Sequence, residues 1–383
     1  MYYMRFFLHL CRVSHLLSLV VALLSVVACT EQVDDFTAVG DRRTATVRLL
    51  IPQTHAATRV ASYIAPTDPD YETQLIAEEN AIYTLRIVIY SLHANNNATT
   101  INRFYTAEEL KKAQTDTEGN YVLTIKGVSA GPAQICVLAN EASIGQDYSD
   151  ILTMQRQTVD AETTGTDGTT TIASKVLIVD EDYRYFPKRG TELLAETTRK
   201  GLPMSWMVKN RSINAAPDAD NTFNVELERC VSKLLMEIKN SFSADIKVRE
   251  ISFGQFFGDK FYLFRESDLD VPGDAKYIEK TFTDNVDYPI ENGKSLLLIC
   301  YLYPSFAWTS SDIASPYTIG FRTEKGDYPL MAFLHATSGN RYNSITRNTQ
   351  VNIDITLSGA SNVSVDFEVV EWQSVDIEVP SFD

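Results

Sequence analysis

The sequence predicts an all-β protein built from two β-sandwich domains in tandem, with few short helices. Many short segments alternate apolar and polar residues, which is the period of a half-buried β-strand. Gly, Pro, Asn and Asp recur between these segments and are typical of turns. The clearest helix signal is short, because Thr106-Ala107-Glu108-Glu109 has the pattern of a capping box opening a helix through Ala113. Many strands with few helices are characteristic of β-sandwiches.

Residues 1–28 have the pattern of a secretory signal peptide. Arg5 and Arg12 supply a positive n-region, and residues 16–28 form an apolar run that is too short for a membrane-spanning helix. We therefore expect this leader to be removed and to contribute nothing to the folded domains.

The end of the leader, residues 26–29 (Val-Val-Ala-Cys), resembles a bacterial lipobox. We predict cleavage between Ala28 and Cys29, with the Cys29 thiol carrying a lipid. The alternative is an ordinary signal peptide or an N-terminal anchor helix with an incidental cysteine. Thr30 stands where Asp would signal retention in the inner membrane, so the sequence favours an outer-membrane lipoprotein precursor. Residues 29–43 are then a polar tether.

The chain is acidic, with 34 Lys and Arg against 50 Asp and Glu and a formal net charge of −16. Such a surface repels phosphates, which argues against a nucleic-acid partner, and it suits an extracellular domain. Beyond Cys29 the mature chain keeps Cys136, Cys230 and Cys300, and none forms a C-x-x-C pattern. At most one pair can form, so the sequence predicts no disulfide framework and favours buried thiols.

The first domain is predicted over residues 44–207 and begins with a strand at 44–52. The inward face of this strand carries Val47, Leu49 and Ile51, and the outward face carries Thr46 and Arg48. Pro52 cannot donate to a β-ladder, so it ends the strand. The following residues are small and polar as far as Arg59, which indicates an exposed, cleavable loop.

The rest of the first domain alternates between strand and turn signals. Strands are predicted at 81–91, 121–126, 134–139 and 175–179. The Thr-rich segment 153–174 lacks apolar periodicity and is interpreted as a mobile loop. Turn-forming residues become dense after Gly201, and the domain boundary is placed between residues 207 and 208.

The second domain is predicted over residues 208–383. Its strands are expected at 223–227, 231–238, 246–253, 295–303, 317–322, 328–334, 351–357 and 363–369. Residues 295–303 are apolar on both faces, which predicts a central strand. The last strand, 374–380, repeats the pattern of the first, with Val375, Ile377 and Val379 on its inward face. First and last strands that fit the same kind of site suggest strand exchange between subunits.

No catalytic or metal-binding pattern is present in the sequence. The mature histidines, His55, His93 and His335, are far apart, and no G-x-G-x-x-G, P-loop, G-x-S-x-G or H-E-x-x-H motif occurs. We therefore predict no enzyme activity, no cofactor and no metal. Two alternatives stay open. One is a surface glycan-binding lipoprotein whose 19 tyrosines include an aromatic platform, and the other is a hydrolase built from loop residues.

Several segments together resemble the fimbrillin family, the subunits of type V pili. They are residues 85–90, 131–140 and 202–205 in the first domain, and residues 227–233, 345–348 and Trp372 in the second. Their order and spacing, with the lipobox, extend over nearly the whole mature chain. The dipeptide Ser205-Trp206 departs from the family pattern, which has a small residue followed by Gly.

The resemblance implies two transthyretin-like, Greek-key β-sandwiches and export as a lipoprotein. An arginine-specific protease would cut at Arg59, with Arg42, Arg43 and Arg48 as less favoured sites. The strand 44–52 would then leave with the propeptide 29–59, and its groove would accept the C-terminal strand of the next subunit.

The implied function is that of a structural subunit of a cell-surface fimbrium that supports adhesion. The expected partners are other fimbrial subunits, in a homopolymer or heteropolymer, the outer membrane through the lipid on Cys29 before processing, and a host or bacterial surface ligand. Because the chain has both a cleavable loop and a donor strand, a stalk-type or accessory role is favoured over a tip or anchor role.

Overall fold

The structure is dominated by β-strands, as the sequence predicts. This computed structural model describes residues 44–52, 79–91, 100–144, 148–149, 162–164, 170–172, 176–178, 188–189, 201–258, 260–264, 271, 275–283, 286–305, 317–332, 344–359 and 363–371. All of them belong to one unit that spans Thr44–Asp383. In this part of the chain, no helix is both long and apolar enough to cross a membrane.

Thirteen strands precede residue 230. They are β1 (Thr44–Ile51), β2 (Leu85–Ser91), β3 (Thr100–Tyr105), β4 (Gln114–Thr115), β5 (Tyr121–Ser129), β6 (Gly131–Ala139), β7 (Glu162–Thr164), β8 (Thr170–Ile172), β9 (Val176–Ile178), β10 (Lys188–Arg189), β11 (Met204–Ile213), β12 (Thr222–Asn224) and β13 (Glu228–Arg229). Helix α1 (Ala107–Leu110) lies between β3 and β4, and a 3-10 helix (Glu141–Ile144) follows β6.

Ten strands follow. They are β14 (Ser232–Asn240), β15 (Ile246–Gly258), β16 (Lys260–Tyr262), β17 (Tyr277–Phe282), β18 (Tyr288–Ile290), β19 (Ser295–Leu302), β20 (Thr318–Thr323), β21 (Gly326–Ala332), β22 (Thr349–Leu357) and β23 (Val363–Glu371).

The first sandwich consists of two sheets that enclose one apolar core. One sheet has the order β12-β1-β5-β4 and the other has the order β13-β11-β6-β2-β3. Inward residues of both sheets form a single buried cluster, including Leu49, Leu123, Ile87 and Ile135. This arrangement follows from the period-two alternation of the strands, which gives each sheet one apolar face to bury.

The second sandwich has the same architecture. Its sheets have the orders β10-β19-β14-β22-β23 and β17-β15-β20-β21, and β18 also pairs with β15. The predicted alternation of β22 is confirmed, because Ile353 and Ile355 are buried in the core while Asp354 is exposed. The predicted central strand is confirmed as β19, which lies between β10 and β14.

Strands β11 and β12 show where the first sandwich ends in the chain. β11 crosses the position predicted for the boundary and pairs with β6 from Met204 to Ile213. β12 pairs with β1. β13 pairs with β11. Residues as far as Arg229 therefore hydrogen-bond to sheets of the first sandwich, and the exact partition into domains stays a prediction.

Two local predictions have clear outcomes. The capping box is confirmed: Thr106 Oγ1 accepts a hydrogen bond from Glu109 N at 3.3 Å, and Thr106 N donates to Glu109 Oε2 at 2.9 Å. The helix ends at Leu110, before the predicted Ala113. The interpretation of 153–174 as an irregular loop is wrong in part, because β7 and β8 within it form an antiparallel pair. Thr residues favour strands, so a Thr-rich segment is compatible with a hairpin even without an apolar face.

Candidate functional site

Strand β1 lies inside its sheet, with a different neighbour on each side. It runs antiparallel to β5 over its whole length, from Thr44 opposite Ser129 to Ile51 opposite Tyr121. On the other side it runs parallel to β12 over only three residues, Arg48 to Leu50. The site that β1 occupies is therefore a groove with one long backbone edge and one short edge.

The predicted facing of β1 is confirmed. The side chains of Val47, Leu49 and Ile51 are fully buried, with no exposed area, and Thr46 and Arg48 are exposed. The buried residues pack in the core of the first sandwich. Full burial of a Val, Leu or Ile side chain contributes about 1.5–3 kcal/mol, so β1 is an integral part of this core.

A β-bulge fixes the register of β1 against β5. Between the pairs Ala45–Val128 and Val47–Ile125, one residue of β1 faces two residues of β5, Lys126 and Gly127. Gly127 has a φ of +75° and open space around it, so conformation rather than crowding explains the glycine. The bulge lets both Ile125 and Val128 of β5, which are three residues apart, face the core.

The short edge of the groove is formed by residues 221–225, here called the clasp. Arg48 N donates to Asn221 O at 3.0 Å, and Val225 N donates to Leu50 O at 2.9 Å. The Asn221 carboxamide reaches the same strand, because its Nδ2 donates to the Thr46 carbonyl at 3.3 Å. These three contacts add to the hydrogen bonds of the short β1–β12 ladder.

A second loop residue holds the Asn221 side chain in place. Asn214 N donates to Asn221 Oδ1 at 2.9 Å, and Asn221 Nδ2 donates to Asn214 O at 2.9 Å. Asn221 is 7% exposed, so its carboxamide is both buried and orientated before it meets β1. In the sequence, Asn221 is one of several turn-forming residues that follow Gly201, and no local pattern indicates this contact.

The other predicted site residues fall outside the described part of the chain. These are the lipidation and signal-cleavage residues Cys29 and Ala28, the processing residue Arg59, and the donor-strand residues Val375, Ile377 and Val379. The structure therefore brings together the predicted displaced strand and its groove. Most of the predicted cleavable loop lies between the described residues Pro52 and Glu79, and the predicted donor strand lies after the last described residue, Glu371.

Four of the segments that carry the family resemblance contribute to a buried junction between the two sandwiches, namely residues 85–90, 131–140, 202–205 and 227–233. Trp372 lies outside the described residues. Asn140 has a φ of 58° and uses its whole side chain: Tyr83 N donates to Oδ1 at 2.9 Å, and Nδ2 donates to the carbonyls of Ala81 and Leu202 at 2.8 Å each. Gly201 is required beside it, because a Cβ there would lie 2.3 Å from Asn140 Nδ2. These segments serve the packing of the chain.

A buried charge network at the junction links the segment after the predicted loop to the second sandwich. Lys233 Nζ lies 2.8 Å from Glu79 Oε1, and Tyr301 Oη donates to the same oxygen at 2.8 Å. Arg229 donates to Asn348 Oδ1 at 2.8 Å and also to Asn80 Oδ1. Burial lowers the pKa of the Arg229 guanidinium, while the Glu79 carboxylate acts in the opposite direction.

A second buried ion pair lies on the same side of the first sandwich. The Arg86 guanidinium donates to both carboxylate oxygens of Glu141, at 2.5 and 2.6 Å, and to Asn102 Oδ1 at 2.8 Å. Bidentate pairing of this kind compensates the desolvation of both charges. Arg86 and Glu141 therefore fix the chain that follows β6, and sequence reasoning could not have found a partner 55 residues away.

The described residues form a groove that holds a strand, and they contain no cluster of metal-ligating side chains. Among them, no group of three or more His, Cys, Asp or Glu side chains is placed to hold a metal ion. Cys136, Cys230 and Cys300 are buried. Burial raises the pKa of the Cys300 thiol strongly, which keeps it protonated.

One family model matches part of the chain. Residues 56–241 match the model of the major fimbrial subunit protein FimA. No curated protein matches the chain.

Three solved structures of low sequence identity are similar to the chain. The tip fimbrial protein Mfa3 from Porphyromonas gingivalis, with a C-terminal truncation, is 14% identical with a TM-score of 0.43 and covers 86% of this chain and 100% of its own. Fimbrilin FimA from Porphyromonas gingivalis W83 is 10% identical with a TM-score of 0.45, covering 88% and 100%. A fimbrial assembly protein from Parabacteroides distasonis ATCC 8503 is 10% identical with a TM-score of 0.43, covering 86% and 98%.

These three TM-scores lie below 0.5, so the structural similarities support no conclusion about fold or function. The family-model match is the more informative comparison. Through residues 56–241, this chain matches the family of the major fimbrial subunit protein FimA.

Proposed function

We propose that this protein is a structural subunit of a cell-surface fimbrium that polymerises by strand exchange. Release of β1 after cleavage at Arg59 opens the groove, and residues 374–380 of a neighbouring subunit fill it. A stalk-type or accessory role fits best, because the sequence contains both a cleavable loop and a donor strand. The family match supports the structural role and favours a chain without enzyme activity.

The observation that carries the proposal is the position of β1. It is a complete core strand with three fully buried branched side chains, yet it is the first described element of the unit. Its only covalent link to the rest of the described chain is the segment between Pro52 and Glu79. A cut in that segment leaves β1 held by non-covalent contacts alone, so the strand becomes exchangeable.

The free energy lost when β1 leaves explains why an empty groove would bind another strand. Loss of Val47, Leu49 and Ile51 removes about 1.5–3 kcal/mol per side chain from the core. The backbone edge of β5 would be exposed along nine residues, and exposed edges pair readily with other strands. Insertion of an extended segment repairs both losses, which is the principle of donor-strand complementation.

The donor residues match the requirement of the groove. Val375, Ile377 and Val379 recur with a period of two and are branched at Cβ, so they suit strand conformation and an apolar floor. The polar residues between them, such as Asp376, would take the solvent-facing positions that Thr46 and Arg48 occupy in β1.

The route to the cell surface is part of the same proposal. Cleavage between Ala28 and Cys29 and lipidation of Cys29 would anchor the precursor in the outer membrane, with residues 29–43 as the tether. Proteolysis at Arg59 would then free the subunit from its lipid and open its groove in one step, which couples assembly to arrival at the surface. Other fimbrial subunits are the expected partners, and adhesion to a host or bacterial surface ligand is the expected role of the polymer.

The experiment is to express each variant as the sole fimbrial subunit and to score polymer ladders on denaturing gels. Arg59→Ala should abolish the ladder because β1 stays in its groove. Deletion of residues 374–383 should abolish it because the donor is absent. Ile377→Asp should do the same, since a charge would enter the acceptor's core, and its neighbour Asp376→Ala is the matched control that should polymerise.

Two outcomes would contradict the assignment. Ladders that survive both the deletion and Ile377→Asp exclude the C-terminal strand as donor. Ladders that survive Arg59→Ala alone move the cut to Arg42, Arg43 or Arg48, or indicate an anchor in which β1 is retained. For the export step, Cys29→Ser should abolish lipid labelling and surface delivery, and normal display of this variant would exclude the lipoprotein route.

A further inference from the structure

The hydrogen bonds between the clasp and β1 use backbone atoms of β1. Besides the short β1–β12 ladder, the atoms contacted are Arg48 N and the carbonyl oxygens of Thr46 and Leu50. These three residues have their side chains on the face away from the core. These hydrogen bonds therefore place no demand on side-chain identity, and any extended segment with the same pattern of backbone groups can form them.

The hydrogen bonds of the clasp do require one direction of the strand that lies in the groove. Each residue on the edge of a strand presents an N–H and a C=O in a fixed order along the chain, and reversing the strand exchanges their positions. β12 is parallel to β1, and parallel ladders use evenly spaced, slanted bonds that differ from the antiparallel pattern. A reversed strand would set N–H groups near the donor Val225 N and C=O groups near the acceptor Asn221 O.

Asn221 strengthens this requirement because its side chain is held in one orientation. Its carboxamide is buried and held by two hydrogen bonds to Asn214, so it cannot rotate to offer its oxygen in place of its Nδ2 donor without losing both. The donor aimed at the Thr46 carbonyl is thus fixed before a strand arrives. Loops preorganised in this way discriminate by leaving a buried polar group unpaired when the wrong partner binds.

The C-terminal segment fits the groove in the same direction as β1. Residues 46–52 read Thr-Val-Arg-Leu-Leu-Ile-Pro, and residues 374–380 read Ser-Val-Asp-Ile-Glu-Val-Pro. Both have branched or aliphatic residues at the second, fourth and sixth positions and end in proline. Pro380 would take the place of Pro52, which lies beyond the last residue of the β1 ladder. No ladder hydrogen bond is therefore lost to this proline.

We propose that the clasp, through Asn221, selects the direction and register of the strand in the groove. Residues 374–380 of a second copy of this chain then enter antiparallel to β5 and parallel to β12, with Val375 in the place of Val47. This inference rests on the proposed strand exchange and goes beyond it, because exchange alone leaves the direction open. Asn221 is a positioning residue, and the β-bulge at Gly127 sets the same register from the other side.

The test uses the full mature chain with a site-specific protease sequence inserted after Arg59. Cutting leaves β1 in place and exchangeable. Two peptides, residues 44–52 and residues 372–380, are offered to the cut protein, each with a fluorescence donor at its N-terminal or its C-terminal end. An acceptor dye on a Glu118→Cys variant lies in the exposed turn before β5, near the end of the groove where Ile51 faces Tyr121. Energy transfer then distinguishes forward peptides, whose C-terminal end lies there as in β1, from reversed peptides, whose N-terminal end lies there. Incorporation is measured by fluorescence anisotropy and by size-exclusion chromatography.

Both peptides should enter in the forward direction, and entry in the reversed direction should be at least about tenfold less, as expected for the loss of one or more hydrogen bonds with a buried partner left unpaired. Asn221→Ala should release the forward peptides about five- to tenfold faster and should narrow the difference between forward and reversed peptides. Asn224→Ala is the matched control, since this exposed residue of β12 is the same residue type within the clasp. It should leave both quantities unchanged.

Asn221→Asp provides a second variant if Asn221→Ala does not fold. It keeps an acceptor for Asn214 N and removes the donor to Thr46 O, so it should also release the forward peptides faster.

The outcomes separate the two proposals. Equal entry in the two directions, or unchanged release and discrimination in both Asn221 variants, overturns the role of the clasp and leaves strand exchange standing. Entry of residues 44–52 without residues 372–380 keeps the clasp and removes the C-terminal donor. No entry of any peptide overturns the exchangeable groove, and the role of Asn221 in exchange falls with it.

Discussion

Leu49 and Leu50 provide the sharpest test of how β1 is seated. The two residues are neighbours of identical type in one strand, but Leu49 is fully buried in the core of the first sandwich while Leu50 is half-buried on the opposite face. Leu49→Ala and Leu50→Ala change strand propensity equally, so their difference isolates the effect of burial.

The expected magnitudes follow from that burial. Leu49→Ala removes three heavy atoms from a packed site opposite Leu123 and leaves a cavity, which costs about 2–5 kcal/mol of stability. Leu50→Ala removes the same atoms from a site that keeps contact with water, and its cost should be about 1 kcal/mol or less.

The assay is equilibrium urea unfolding of the uncut mature chain, followed by far-UV circular dichroism. Leu49→Ala should lower the midpoint clearly and Leu50→Ala should lower it slightly, with similar m-values. A larger effect at Leu50 would mean that β1 is shifted by one residue, because a one-residue slip exchanges its two faces. Equal small effects would mean that β1 does not contribute to the core, and the groove would lose its physical basis.

Three further substitutions test other parts of the molecule by the same unfolding assay. Ile353→Asp should unfold the second sandwich because it buries a charge, whereas Asn352→Asp on the other face should be mild; equal effects would contradict the assigned facing. Gly127→Ala should cost about 1 kcal/mol because its φ of +75° disfavours a side chain, and an unchanged midpoint would argue against the bulge. Glu79→Gln should cost about 3–5 kcal/mol by leaving Lys233 buried and unpaired, and adding Lys233→Met should recover part of that loss; a mild single variant with no recovery would show that the pair is not buried.

Strand facing was predictable because it depends on the nearest residues in the chain. Val47, Leu49 and Ile51 alternate with polar neighbours, and the period of two fixes which side chains share a face whatever the strand packs against. The same holds for β22 and for the capping box at Thr106, whose partner is three residues away. Local geometry is sufficient for each of these features.

The neighbours of β1 were not predictable in this way. β12 lies about 170 residues further along the chain and pairs through only three residues, too few to leave a pattern. The contact of Asn221 with Thr46 spans 175 residues, and an Asn in a turn-rich segment is explained equally well by the turn itself. Only the folded chain shows that this carboxamide faces a strand.

The buried charges show the same limit. Arg229, Lys233 and Asn348 stand in segments that carry the family resemblance, but the sequence has no signal that joins them to Glu79. An ionisable residue in a β-rich chain is expected at the surface, and its burial becomes favourable only when a partner from another element compensates its desolvation. Such compensation exists only after both sandwiches have come together.

The sequence by itself determined the all-β class, the inward faces of the strands, and the similarity of the first and last strands, because these follow from alternation along the chain. The tertiary structure decided which strands flank β1, in which direction they run, and which polar groups hydrogen-bond to its backbone. These properties depend on hydrogen bonds between residues far apart in the chain. Their free energy is gained only when the intervening segments have folded, so no local pattern of residues records them.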